Sequence, residues 1–166
     1  MAAGATYEPI ATQTLASPAS TITFSSIAAS WTDIKLVIVA KCTTTGATIN
    51  LTFNNDTATN YSYTFLTGNG STASSVNNIN QNFINIGNVY TTQWTLGNID
   101  IFSYAGSTNK SILSLGAIDR STAGVIYSIT GTWRSTSAIN RVDIAHQTGD
   151  TFVVGTTATL YGIKAA

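Results

Sequence analysis

Charge is what this sequence has least of. Only 8 % of its 166 residues are Asp, Glu, Lys or Arg, against roughly 25 % in an average soluble domain. Seven basic residues, Lys35, Lys41, Lys110, Arg120, Arg134, Arg141 and Lys164, balance seven acidic ones, so the formal net charge is zero. The basic residues are scattered, which argues against the basic patch that a nucleic-acid-binding face requires. Few like charges also leave little repulsion between copies of the chain. One cysteine, Cys42, excludes an intrachain disulfide, and with a single histidine, His146, it leaves no His/Cys cluster for zinc. The longest apolar run, Leu-Val-Ile-Val-Ala at 36–40, is far short of the ~20 residues that span a bilayer. The N-terminal stretch has no basic head followed by an apolar segment, so no signal peptide is expected.

What fills the space is Ser, Thr and Asn, within a chain that is 43 % hydrophobic and therefore able to form a core. Short polar side chains compete for the backbone in helices, and Thr favours strands. The apolar period is two almost everywhere. Ile22 and Phe24 alternate with Thr, as do Ile49, Leu51 and Phe53, and Tyr61, Tyr63 and Phe65. Ile34, Leu36 and Ile38 alternate with Lys35, Val37 and Val39, a pattern apolar on both faces at its centre, as in an interior strand. Further strands are expected in 82–90, 93–104, 110–118, 124–134, 140–146 and 157–164. Between them lie turn-forming segments such as Asn-Asn-Asp-Thr-Ala-Thr-Asn and Thr-Gly-Asn-Gly-Ser. No amphipathic helix stands out. About ten short strands in a single domain spanning 1–166 predict an all-β antiparallel sandwich, with a jelly roll as first choice and an immunoglobulin-like sandwich as the alternative. Residues 1–15, an extended apolar pattern broken by Pro9 and followed by Pro18, read as an N-terminal arm. Tyr7, Pro9, Ile10 and Leu15 are its candidate interface residues.

Chemistry is sparse. Asn54, Asp56 and Asn60 offer oxygen ligands, but Ala58 interrupts the calcium-loop spacing and no Glu closes it, so turn formation is the expected role and a metal site is not. The Gly-rich segment 67–71 fits neither a phosphate loop nor a dinucleotide fingerprint. Cys42, His146 and Asp143 admit a nucleophile, base and orienting carboxylate by arithmetic alone. Asp100, Asp119 and Asp143 admit paired carboxylates on the same footing. No catalytic residue, no cofactor and no enzymatic activity is expected. The aromatic residues divide between core filling and a sugar-binding platform. Trp94, Trp133 and Asn69, with loops 67–75 and 104–109, are the candidates for the second role.

The order of certain segments is similar to that in a group of virion proteins of tailed bacteriophages, notably phages of aquatic bacteria. The segments are Ser-Ser-Ile at 25–27, Trp-Thr-Asp at 31–33, the Phe-Asn-Asn-Asp-Thr-Ala-Thr-Asn-Tyr-Ser-Tyr run at 53–63, Gly-Asn-Gly-Ser at 68–71 and Leu-Tyr-Gly-Ile at 160–163. The likeness covers both ends and the first half; residues 75–150 share only the strand style. It implies a structural role on the outer surface of the virion, reached by lysis after synthesis in the host cytoplasm. Two roles fit. One is a capsid decoration or cement protein, a homotrimer bound to the major capsid protein. The other is a tail-fibre or tail-tip module that binds a host glycan. Neither calls for nucleic acid or a membrane as partner.

Overall fold

The computed structural model describes residues 6–44, 46–119, 123–147 and 149–164. Twelve strands account for the regular structure: β1 (Tyr7–Thr14), β2 (Thr21–Ser25), β3 (Asp33–Ala40), β4 (Ala47–Phe53), β5 (Tyr61–Gly68), β6 (Ala73–Gln81), β7 (Ile84–Val89), β8 (Thr95–Phe102), β9 (Lys110–Asp119), β10 (Gly124–Trp133), β11 (Arg141–His146) and β12 (Thr157–Ile163). Among the described residues no helix is long and apolar enough to cross a membrane.

The strands form two antiparallel sheets packed as a sandwich. One has the order β1-β12-β3-β8-β9-β10-β5-β6 and the other β2-β11-β4-β7. The four strands β1-β12-β3-β8 and the four-stranded sheet together follow the jelly-roll order of two interlocked Greek keys. Two hairpins, β5–β6 and β9–β10, are inserted into that frame and widen one sheet to eight strands. All ten expected strands are present. Their alternating residues meet between the sheets: Ile22, Phe24, Ile34, Leu36, Leu51, Phe53, Ile99, Ile129 and Leu160 are all buried.

Close approach sets the spacing of the layers. β7 crosses over β10, where Gly131 leaves room for Ile84; a Cβ at Gly131 would lie 2.9 Å from the Ile84 side chain. The Ser114 hydroxyl donates to the Ile86 carbonyl across the same gap, at 3.3 Å. At the other end of the core Gly162 seats Trp31, and a Cβ there would overlap the indole. Two of the quoted segments, 31–33 and 160–163, are therefore in direct contact.

The residues taken for a free arm are mostly a strand. β1 pairs along its length with β12, bulging between Pro9 and Ala11. The Gln13 amide donates to the Thr23 carbonyl of β2, and Lys164 bridges Glu8 at 2.9 Å. Ile10 and Leu15 are half-buried against the core, whereas Tyr7 and Pro9 are exposed. Without β1, β12 would present an unpaired ladder, so pairing outweighs the freedom of an arm. Residues 1–5 of that arm lie outside the described residues.

β6 is the second strand that the alternation does not mark; only its first residues, 73–75, fall in the loop expected at 67–75. It is a nine-residue edge strand, largely exposed.

Gly162→Ala should cost about 1–3 kcal/mol through forced displacement of Trp31. Chemical denaturation checks this, and Trp31 fluorescence should shift with it.

Candidate interaction surface

The turn at 54–60 is fully engaged in holding β4 to β5. Asn54 and Asn55 have positive φ (53° and 57°), a conformation that Asn tolerates better than most residues. The Asn54 side-chain oxygen accepts from the Asn140 and Arg141 amides, at 3.0 and 3.1 Å. Asp56 accepts from the Ala58 amide, from Asn60 and from the Trp133 indole, at 2.9, 2.9 and 2.7 Å. Burial alone would raise the Asp56 pKa, but bonds from Asn60, Trp133 and Ala58 outweigh it and hold the carboxyl below its ordinary range. Beneath the turn, Tyr61 accepts from the Phe53 amide at 3.0 Å and packs against Phe53 and Trp133. These oxygens are committed to bonds within and around the corner. Trp133 is only 2 % exposed, which removes it from any glycan platform. Its polar atom is spent on Asp56 because a buried indole N–H needs an acceptor.

The other candidates separate in the same way. Asn69 Oδ1 accepts from the Ser71 and Thr72 amides, at 3.0 and 2.8 Å, and shapes the β5–β6 turn. Loop 104–109 is tied inward: Tyr104 is buried and donates to the Ala28 carbonyl at 2.6 Å. Buried Lys110 donates to the Gly106 and Thr108 carbonyls at 2.6 and 2.5 Å, and burial lowers its pKa. Trp94 differs from Trp133 in being 45 % exposed, with Lys41 Nζ 5.5 Å from its ring centroid.

Cys42, His146 and Asp143 are not joined by any hydrogen bond among the described residues. The Cys42 thiol donates to the Thr44 carbonyl at 2.7 Å, and burial pushes its pKa up. His146 packs on Phe152, ring centroids 4.2 Å apart, and neither ring nitrogen bonds a described residue. Asp143 receives both Arg141 nitrogens at 2.7 Å and the Thr23 hydroxyl at 2.6 Å. Asp100 pairs with Lys35 at 2.7 Å on the eight-stranded sheet, whereas Asp143 belongs to the four-stranded one.

The outer face of the large sheet is where an unanticipated feature lies. Strand register places Val39, Leu96, Ala117, Ile126, Gly68 and Ala73 in one continuous row across six strands. The next row is Val37, Asn98, Leu115, Ser128, Leu66 and Ser75. Neither row carries a charge; the first ion pair, Lys35–Asp100, stands in the third. Ile126 is 66 % exposed and Leu115 50 %. Together with Leu66 and Ala73 they line a shallow apolar groove of about 360 Å³. Its sequence signal was available in strands apolar in both phases. Leu113 and Leu115 alternate with Ile112 and Ser114, and Val37 and Val39 flank Ile38. The second phase faces outward, away from the partner sheet.

Fold and surface together define an all-β sandwich with one apolar outer sheet face. Comparison with protein-family models, curated proteins and solved structures finds no match.

His146 carries a pH dependence. Burial lowers its pKa, opposed by the nearby Asp150 charge. The unfolded chain therefore takes up a proton more readily than the folded one. This contribution to stability is complete above an unfolded-state pKa of about 6.5 and declines as pH falls below it. Melting temperature should drop across that window, and His146→Leu should flatten the drop. Asp56 and Asp150, whose pKa values are lowered, contribute separately, in the carboxylate range nearer pH ~4.

Proposed function

We propose that this chain is a structural subunit of a bacteriophage particle, most specifically a capsid decoration or cement protein that docks on the shell through the apolar face of its eight-stranded sheet. The observation that carries the reading is the uncharged double row from Val39 to Ala73. Contiguous exposed apolar surface of this kind marks an interaction site, because covering it releases ordered water at no cost in charge desolvation. The segment likeness to tailed-phage virion proteins supplies the setting, and the major capsid protein is the partner that setting implies. The jelly-roll order adds only compatibility, since that fold serves in capsids and lectins alike. The work is done by buried surface, and no reacting group takes part.

Pairing Ile126→Glu with Leu66→Glu places two carboxylates where the groove would close, and an uncompensated charge there opposes burial. Binding to particles lacking the protein should weaken at least about tenfold, roughly 1.4 kcal/mol, while both substitutions, at exposed positions, leave the melting temperature near that of the parent. Unchanged particle binding would sink the docking face.

The tail-module reading keeps one supporting observation, the half-exposed Trp94 beside Lys41. On that reading Trp94→Ala abolishes binding on a glycan array without altering the fold. A blank array for the parent protein removes it.

A further inference from the structure

The two edges of the eight-stranded sheet differ in how they are finished. At β1 the Lys164 amide donates to the Thr6 carbonyl. Alternation along an antiparallel pair then turns the backbone groups of Thr6 and Glu8 inward and those of Tyr7 and Pro9 outward. Proline has no N–H to offer there, the strand bulges beside it, and the Glu8–Lys164 ion pair sits at the same edge. Proline, charge and a bulge are the usual means of blunting an edge.

β6 has little of this. Its sequence, Ala-Ser-Ser-Val-Asn-Asn-Ile-Asn-Gln, contains neither a charge nor a proline. Its irregularity is confined to the far end, where the pairing shifts after Asn78 and Arg134 holds Asn80. Backbone direction along the rest follows from one bond and the strand registers. The Arg134 amide donates to the Asn60 carbonyl at 2.8 Å, so even-numbered residues of β5 bond toward β10 and odd-numbered ones toward β6. With Thr67 opposite Ser74 and Phe65 opposite Val76, residues Ser74, Val76 and Asn78 are used within the sheet. Ala73, Ser75 and Asn77 direct their N–H and C=O groups outward, and among the described residues no strand flanks them.

We propose that this edge pairs with the same edge of a second copy of the chain, antiparallel, about a two-fold axis at Ser75. The occupant is a copy because the edge complements itself. An axis at Ser75 sets Ser75 against its equivalent and Ala73 against Asn77, using all three open residues in about six main-chain hydrogen bonds. A register centred one residue away leaves open groups unpaired. The zero charge of the strand removes the repulsion that two identical edges normally meet. Half-exposed Val76, which projects on the inner side beyond Phe65, gains cover from the opposing strand. An axis of this kind runs perpendicular to the sheet, so both apolar outer faces point the same way. The pairing adds a partner to the docking face of the proposed function without depending on it.

Sedimentation equilibrium of the full chain should give the mass of two chains. Ser75→Lys, at an exposed position, should give the mass of one folded chain, because the axis sets the two lysines against each other. Ser75→Cys should cross-link to a covalent dimer under mild oxidation, since directly opposed residues lie within disulfide reach; native Cys42, buried, does not compete. Ala73→Cys alone should not cross-link, as its partner is Asn77. A single-chain or three-chain mass for the parent protein would overturn the pairing, as would a dimer that survives Ser75→Lys and fails to cross-link through Ser75→Cys. Ile126→Glu with Leu66→Glu should remain dimeric, so loss of shell binding and loss of the dimer are read separately.

Discussion

One carboxylate organises the middle of this fold. Asp56 binds the Trp133 indole and the Asn60 amide at once, and so joins the β4–β5 corner to the end of β10. Here the chain leaves the four-stranded sheet and enters the eight-stranded one. Were the corner to open, Trp133 would lose its acceptor and Tyr61 its packing, and the register of β5 against β10, which runs from Tyr61–Trp133 to Gly68–Ile126, would lose the support at its first pair. Everything beyond β10 in the large sheet depends on that register, including the groove between Ile126 and Leu66 and the outward set of groups on β6. A single polar anchor thus decides whether an apolar surface is continuous.

Most of the fold was legible because a sheet covered on one face imposes a period of two, and ten strands show it. The two that did not show it are both edges. β1 carries Pro9 and a bulge, which shift the phase between Tyr7 and Ala11. β6 has neither face fully covered, so nothing requires its apolar residues to alternate, and Ser, Asn and Gly around it look like a turn. The aromatic residues divided for a reason that spacing does not reveal. Trp133 and Trp94 both stand at strand ends, but only Trp133 meets a carboxylate, that of Asp56 in the β4–β5 turn.

The apolar outer face was present in the composition and hidden by a simplifying assumption. A strand apolar in both phases is readily taken as buried on both sides. β3 is interior within its sheet, flanked by β12 and β8, yet its second face, at Val37 and Val39, looks outward with nothing described above it. Scarcity of charge acts in the same direction. Most cations of the described chain are engaged locally: Lys35 with Asp100, Arg141 with Asp143, Lys164 with Glu8, Lys110 with carbonyls and Arg134 with Ser62 of β5 and Asn80 of β6. Few remain to interrupt the rows.

The inserted hairpins have a consequence for how such a protein can change. Each leaves the jelly-roll frame and returns to it without crossing another connection, so the frame's threading is indifferent to their length. The outer ends of β5–β6 and β9–β10 can change in length while β1-β12-β3-β8 and β2-β11-β4-β7 keep their order; their inward residues, such as Tyr61, Ile129 and Trp133, stay with the core. The groove and the open edge lie largely on those hairpins. Surface identity and folding topology are carried by different parts of one chain, and a lineage could replace the first while inheriting the second.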